Sequence, residues 1–380
     1  MEAKRAAWYA GASVGSRLRV MHVVVGGDIG GAERVVVDLA TRPQQTGADH
    51  QVALITPNRR LAAYLEQAGL RVHDRGPAGE DPIAYLVRAL GSSDVSWLAA
   101  LLVAERIDVV HTHTFGSHVL GTRAALRARA PQLRTEHHVM HYTELSSSLF
   151  TRWAAARTDR IVTVSEYVRR AIGATAPRVA DRATVVRNGV DTSYWAPRSA
   201  PDDADAGAFR VGVVCRLTGW KRVGLAIEAA ARACVELVVV GDGEDRAALE
   251  QHARSLRANV AFVGYQADPR PWVARCDAIL STARDEPLGL SLLEALSMGR
   301  PVLAFAGGGI PEIVEHGVTG WLVRDATADA MAAALVRWRD DRPALRRMGD
   351  AARRFAVERC AVERMCDLYA SAYRATSRPS

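Results

Sequence analysis

The sequence predicts an α/β protein with two doubly wound parallel sheets facing across a cleft, and three observations predict it. The chain has 380 residues, more than one hydrophobic core ordinarily fills. Short β-branched runs alternate with longer amphipathic stretches, the pattern of parallel strands joined by crossover helices. The alternation breaks once, in a Pro-, Ala- and Asp-rich stretch between Trp195 and Arg210, and then restarts. Composition agrees: 49% hydrophobic, 24% charged and 6% aromatic residues exclude a disordered or fibrous chain.

Seven strands are predicted before the break and six after it. The first set is Leu18–Val25, His50–Thr56, Leu70–Asp74, Asp108–His113, Leu133–His138, Arg160–Ser165 and Ala183–Gly189. The second is Arg210–Leu217, Val235–Gly243, Val260–Tyr265, Asp277–Ala283, Pro301–Gly309 and Gly320–Val323. Most of these runs end in a turn-forming or polar residue, followed by a helical stretch or a turn. From about Asp329 onward the pattern is helical and rich in arginine. The organisation expected is a tail over 1–17, a first domain over 18–196, a linker over 197–209, a second domain over 210–355, and a C-terminal helix over 356–380 returning to the first.

Other classes fall away on composition. The run Trp97–Ala104 is broken by Glu105, Arg106 and Asp108, so no stretch is long enough to span a bilayer. The N-terminal residues lack the apolar stretch of a secretory signal. Five cysteines form no CxxC pair, which excludes a zinc ribbon and a disulfide framework and points to a reducing cytoplasm. Residues 1–196 hold 24 basic and 18 acidic side chains, against 25 and 24 in the remainder. That excess suits an anionic partner or the inner face of the plasma membrane, and the stretch with Arg123, Arg127, Arg129 and Arg134 would carry the contact. The Asp202–Asp205 acidic run lies in the linker and reads as solvated charge rather than a metal site.

In doubly wound sheets, ligands sit beyond the carboxyl ends of the strands, so strand-end residues carry the functional signal. Gly30 and Gly31, after the first strand, open a helix whose amides suit an anion. The spacing is not a dinucleotide fingerprint, and no acidic residue ends the second strand. After the eighth strand come Arg216 and Lys221. Only Lys4 and Lys221 are lysines among 49 basic residues, so a lysine kept here points to a need for a compact ammonium. Two cations suit a diphosphate leaving group, whose charge grows as its bond breaks. Glu286 precedes a helix on which Glu294 lies eight residues on, about 12 Å along a helix axis. The pair can grip two ends of one elongated ligand, and the amides of Gly289, Leu290 and Ser291 between them suit phosphate. Six of eleven histidines fall within 111–141: His111, His113, His118, His137, His138 and His141. With only Glu136 nearby as an acidic ligand, a hydrogen-bonded pocket is the stronger reading than a metal centre.

These residues resemble the retaining GT-B glycosyltransferases of family 4. The motifs are GGAER from Gly30, DVVHTH from Asp108, VTVSEYV from Val162, RNGVD from Arg187, the Arg216/Lys221 pair, EPLGLSLLE from Glu286 and GVTGWLV from Gly317. The resemblance implies two Rossmann-like domains, the first binding a hydroxyl acceptor and the second a nucleoside-diphosphate sugar. It implies that Glu286 contacts the transferred sugar and Glu294 the ribose. Arg216 and Lys221 would hold the diphosphate, helped by Gly31 and the amides of Gly289 and Leu290. Gly241, Gly243, Val263, Gly264 and Tyr265 would line the base pocket, and His113 would lie near the sugar. No cofactor and no metal are expected, and no nucleic acid. The acceptor expected is a lipid-linked glycan, a phospholipid or a small molecule, in cell-envelope, exopolysaccharide or glycolipid synthesis. Three positions depart from the pattern: Cys215 and Arg222 where glycine is usual, and Leu288 where phenylalanine is common. A nucleotide-sugar epimerase, a phosphorylase and a sugar-binding protein without catalysis stay open.

Overall fold

A computed structural model of the chain describes residues 17–25, 29–56, 58–76, 91–113, 115–198 and 208–377. The expected tail, apart from Arg17, and the Asp202–Asp205 run lie outside the described residues. The chain forms two compact units: the described residues up to Arg187 with those from Met365 onward, and Asn188–Arg364.

The first unit holds β1 (Leu18–Val24), α1 (Gly31–Ala40), α2 (Pro43–Thr46), β2 (Ala48–Leu54), α3 (Arg59–Gln67) and β3 (Arg71–Asp74). Then follow α4 (Ser93–Ala104), β4 (Val109–Thr112), α5 (Phe115–Ala128), β5 (Gln132–Glu136), α6 (Met140–Thr143) and α7 (Leu145–Arg157). The set closes with β6 (Arg160–Thr163), α8 (Glu166–Gly173), α9 (Pro177–Arg182) and β7 (Ala183–Val185). The strands pair in parallel in the order β3-β2-β1-β4-β5-β6-β7. Parallel strands are covered on both faces, so their residues are buried whichever way they point. Met21 and Val23 pack into one cluster, while Val24, Val52 and Leu54 pack into another. Start signals in the sequence fix the helices: the Asn58 side chain accepts the Leu61 N–H at 2.9 Å and Ser165 accepts that of Val168 at 3.1 Å, as good N-caps do.

The second unit holds β8 (Arg210–Val214), α10 (Val223–Ala233), β9 (Glu236–Val240), α11 (Arg246–Ser255), β10 (Val260–Gly264) and α12 (Arg270–Ala274). It continues with β11 (Ala278–Ser281), α13 (Leu290–Ser297), β12 (Val302–Phe305), β13 (Gly320–Val323), α14 (Ala328–Asp340) and α15 (Arg342–Arg359). Its parallel order is β10-β9-β8-β11-β12-β13. Strand β9 shows the two-residue period: Leu237 and Val239 enter one core cluster, Val238 and Val240 the other. The last helix, α16 (Val362–Ser377), begins in this unit, and its residues from Met365 belong to the first.

Both sheets reverse their winding once, between β1 and β4 in the first and between β8 and β11 in the second. Crossover helices leave opposite faces at such a point, opening a crevice at the strand ends where ligands bind. All thirteen described strands fall on the predicted runs. Residues 188–196, expected in the first domain, fall in the second unit, and Arg134 is not at the surface. It lies on β5 and is fully buried, because both faces of that strand are covered. Among the four arginines of the basic stretch, Arg127 and Arg129 are exposed and Arg123 is half-buried.

Candidate active site

At the winding reversal of the second sheet, the chain leaving β8 meets the chain leaving β11. The Cys215 N–H donates to the Val240 carbonyl at 3.1 Å and the Leu217 N–H to the Asp242 carbonyl at 2.9 Å, so the turn after β8 is tied to the turn after β9. A Cβ on Gly241 would stand 1.9 Å from the Cys215 carbonyl oxygen. Only glycine lets these two backbones touch. The turn continues into a short 3-10 segment, Gly219–Lys221. The Lys221 carbonyl accepts the Thr282 hydroxyl at 2.8 Å, and Lys221 Nζ donates to Glu286 Oε2 at 2.5 Å. The ammonium also lies 4.0 Å from the centre of the Trp220 ring. Both members of the pair are half-buried. A cation and a carboxylate 65 positions apart in sequence are thus joined at adjacent strand ends. Arg216 is exposed on the same turn.

The Glu286 loop rests on three glycines after β12. A Cβ on Gly307 would be 2.3 Å from the Arg284 carbonyl oxygen, and one on Gly309 2.2 Å from that of Pro287. Gly308 has φ +61°, and its Cβ would stand 2.3 Å from the Glu286 carbonyl oxygen. The Gly309 N–H donates to that same carbonyl at 2.8 Å. Gly289, with φ +98°, caps α13, placing Leu290 and Ser291 in the first turn, where backbone N–H groups have no helical acceptor. Glu294 follows on the same helix, only 6% exposed. Gly243 follows β9, Val263 and Gly264 end β10 and Tyr265 follows it; the Gly241 N–H donates to the Gly264 carbonyl at 2.9 Å, and Tyr265 is exposed. Burial pushes the Cys215 thiol up to about 12, so it stands neutral beside the Lys221–Glu286 pair and supplies no thiolate.

The first unit gathers histidines at its own winding reversal. His22 (β1) pairs in register with His111 (β4). The Thr46 hydroxyl donates to the Arg42 carbonyl at 3.1 Å and stands 2.9 Å from His50 Nε2, so its oxygen accepts from that nitrogen. The contacts then run from His50 Nδ1 to His22 Nε2 at 2.8 Å, His22 Nδ1 to His113 Nε2 at 2.8 Å, and His113 Nδ1 to His137 Nε2 at 3.3 Å. A neutral imidazole has one donor and one acceptor, so with Thr46 accepting, each Nε2–H in turn donates towards the Thr46 end. His111 bonds Tyr373 at 2.9 Å and Thr135 at 2.8 Å, and Thr135 meets Tyr369 at 3.0 Å, which ties α16 to the sheet. Burial pushes His22, His111 and His113 well below the usual histidine range, and neighbouring imidazoles add to it. Burial takes His50 down to about 4.

Beside this array, Glu136 is a fully buried carboxylate. Its Oε1 accepts from Arg134 Nε and from the Tyr142 hydroxyl at 2.5 Å. Its Oε2 lies 2.9 Å from His141 Nε2 and 3.5 Å from His118 Nε2. Burial opposes the charge, but Arg134, His118 and His141 outweigh it and hold the carboxyl well below its usual range.

Comparison with known proteins identifies this architecture. Residues 29–194 match the model of Glycosyltransferase Family 4, and residues 208–341 match that of Glycosyl transferases group 1. The alpha-maltose-1-phosphate synthase of Mycolicibacterium smegmatis is 30% identical over 261 residues, covering 60% of this chain and 67% of the relative. The chain belongs to glycosyltransferase family 4. The amylovoran biosynthesis glycosyltransferase AmsK of Erwinia amylovora is 32% identical over 173 residues, 42% of each protein. Among solved structures, Anabaena HepE in complex with UDP and glucose superposes with a TM-score of 0.81 at 25% identity, over 94% of this chain and 99% of that one. The fold is therefore GT-B.

Within this family 4 enzyme, the second unit brings together Glu286 and Lys221 in direct contact, with Arg216, Gly241 and Gly243 on the adjoining strand-end turns. Gly289, Leu290, Ser291 and Glu294 follow Glu286 in chain order. Gly30, Gly31 and His113 belong to the first unit. Gly30 donates its N–H to Glu33 Oε2 at 2.9 Å at the start of α1, while Gly31 is exposed. His113 is 2% exposed with both ring nitrogens engaged by His22 and His137, so it presents no open nitrogen. The glycine triplet Gly307–Gly309 belongs to the site in addition to the expected residues, and three glycines directly after a strand are a sign of close backbone approach visible in the sequence.

Proposed function

We propose that this family 4 glycosyltransferase moves a hexosyl group from a nucleoside-diphosphate sugar to a hydroxyl acceptor, with retention of anomeric configuration. The observation that carries the reading is the Lys221–Glu286 pair at the winding reversal of the second sheet. A nucleotide sugar is an anion joined to a polyol. Lys221 and Arg216 suit the diphosphate, and Glu286, once released from Lys221, suits the sugar hydroxyls. Glu294 takes the ribose and the Gly241–Gly243 rim the base. The complexes of HepE with UDP and with UDP-glucose support this donor class.

In the transfer step the bond between the anomeric carbon and the diphosphate oxygen breaks, and its electron pair stays on the phosphate. The acceptor oxygen forms the new bond on the same face and passes its proton to the departing phosphate. Lys221 and Arg216 stabilise the charge growing on that group. Because side chains and helix amides neutralise the diphosphate, added Mg2+ or Mn2+ leaves turnover unchanged; an absolute requirement for either ion contradicts the assignment. The relatives' roles in amylovoran and alpha-maltose-1-phosphate synthesis support a glycan or small-molecule acceptor. Exposed Arg127 and Arg129 beside exposed Leu126 support contact of the first unit with an anionic membrane, which vesicle flotation checks. Among the described residues no helix is long and apolar enough to cross a bilayer. Five free thiols support a reducing, cytoplasmic setting.

The experiment is a thermal-shift screen of nucleotide sugars, followed by assay of nucleoside diphosphate release with and without glycan or lipid acceptors. Release that depends on acceptor is the expected result. Tight donor binding with no release under any acceptor identifies a binding protein instead.

A further inference from the structure

The buried cluster His118, Glu136 and His141 has a feature that its hydrogen bonds do not explain. His118 is fully buried, and its Nε2 has no hydrogen-bond partner. The nearest carboxylate atom, Glu136 Oε2, is 3.5 Å away, and His141 Nε2 lies 2.9 Å from the same oxygen. The three atoms fall within 4.8 Å of one another and come from three elements: α5, the carboxyl end of β5, and α6.

We propose that His118 Nε2, His141 Nε2 and Glu136 Oε2 form a binding site for a divalent transition ion of the zinc class. Two ligand atoms each about 2.1 Å from a tetrahedral ion stand about 3.4 Å apart. The separations from Glu136 Oε2, 2.9 and 3.5 Å, bracket that value, and the two imidazole nitrogens lie within 4.8 Å of each other, so the ligands need only close around the ion. Two imidazoles and one carboxylate suit zinc. The outer contacts also fit such a centre, in which partners on the far atoms orient the ligands. His118 Nδ1 is held by the Thr112 hydroxyl at 2.9 Å, and Glu136 Oε1 is held by Arg134 and Tyr142. Coordination turns the orphan nitrogen into a ligand. It also requires the His141 Nε2 proton to move to Nδ1 or to solvent. Arg134 already offsets the carboxylate charge, so the ion keeps excess positive charge and its fourth position takes water or hydroxide. All its ligands lie in the first unit. Its structural effect is to tie the short helix α6 to the end of β5, and so to fix the segment that carries His137.

The test uses the full chain, purified without a histidine tag and stripped of metal, and titrated with Co2+ and then Zn2+. One equivalent of Co2+ giving the visible band of a tetrahedral site, displaced by Zn2+, is the expected result, with a rise in Tm on adding Zn2+. His118→Gln and His141→Gln should each weaken Co2+ binding at least tenfold and abolish the Zn2+-dependent Tm rise, with an unchanged circular dichroism spectrum as the check on folding. His252→Gln, in the second unit, should change neither. His141 is the more peripheral ligand, so its variant decides the matter if His118→Gln fails to fold, and the wild-type titration decides it if both fail. No stoichiometric Co2+ binding by folded wild-type protein, or binding undiminished in a folded ligand variant, overturns the proposal. Neither outcome bears on donor transfer, which the nucleotide-release assay measures independently.

Discussion

Lys221 is held by more than its charge. Its ammonium contacts one oxygen of Glu286 at 2.5 Å and faces the Trp220 ring at 4.0 Å. A guanidinium is planar and wider and must approach as a fork, so Lys221→Arg cannot keep both contacts. A displacement of about 1 Å near the reacting atoms costs on the order of 100-fold in rate. Lys221→Arg should therefore lower kcat by about that factor, with a smaller change in donor affinity; near-wild-type turnover would show the lysine to be incidental. Next to it, Arg222 has a left-handed backbone, φ +54°, at the start of α10, and its Nη1 is buried without a hydrogen-bond partner. That conformation suits the glycine that the family resemblance implies at the position. Arg222→Gly should gain about 0.5–1 kcal/mol once the entropy of glycine in the unfolded chain is counted, raising the urea midpoint. A midpoint that falls would mean that the 5.6 Å contact of Arg222 with the Phe305 ring outweighs the strain. Residue types at strand ends were legible in the sequence. The Lys221–Glu286 contact was not, because 65 intervening positions hide it until the order of the sheet is known.

At the scale of elements, the Glu286 loop depends on the turn that follows β12. Gly308→Ala places a methyl group 2.3 Å from the Glu286 carbonyl oxygen on a left-handed backbone. The loop must move or the turn must unwind, at a cost on the order of 3 kcal/mol. Activity should fall more than the remaining folded fraction accounts for, because Glu286 shifts with the loop; a variant whose activity per folded molecule is unchanged would show that the loop does not depend on this contact. The strands themselves were readable because their signal is local: β-branched runs such as Leu237–Val240 carry it within a few residues. Strand β5 shows the limit of that signal. Arg134 read as surface charge because composition cannot reveal that helices cover both faces of its strand. The histidines misled in the same way. His113 stands at a strand end as expected, yet His22 on the neighbouring strand β1 and His137 just after β5 occupy its two ring nitrogens.

Over the whole molecule, the buried imidazoles make stability depend on pH. Above about pH 7.5 these rings are neutral folded and unfolded, and the dependence is flat. Below it the unfolded chain takes up protons that the folded His22, His50, His111 and His113 resist, so stability falls with pH. Each ring costs about 1–2 kcal/mol by pH 5. Glu136 adds no loss in that window, since a carboxyl held low keeps its contribution until pH drops below the usual carboxylate range. Urea unfolding at several pH values between 7.5 and 5 should show the decline, and a level profile would mean that the array protonates in the folded state.

On the proposed function, Lys221 and Glu286, paired with each other here, divide a nucleotide sugar between them, cation to diphosphate and carboxylate to sugar. Calorimetric titration of wild type and Glu286→Gln with a nucleoside diphosphate, and with its sugar conjugate, tests that division. Removing the carboxylate frees Lys221, so the diphosphate alone should bind the variant as tightly as wild type or more tightly, while the sugar conjugate loses its added affinity. Equal weakening of both ligands, or no binding of either to folded wild-type protein by any nucleotide tried, would contradict that division.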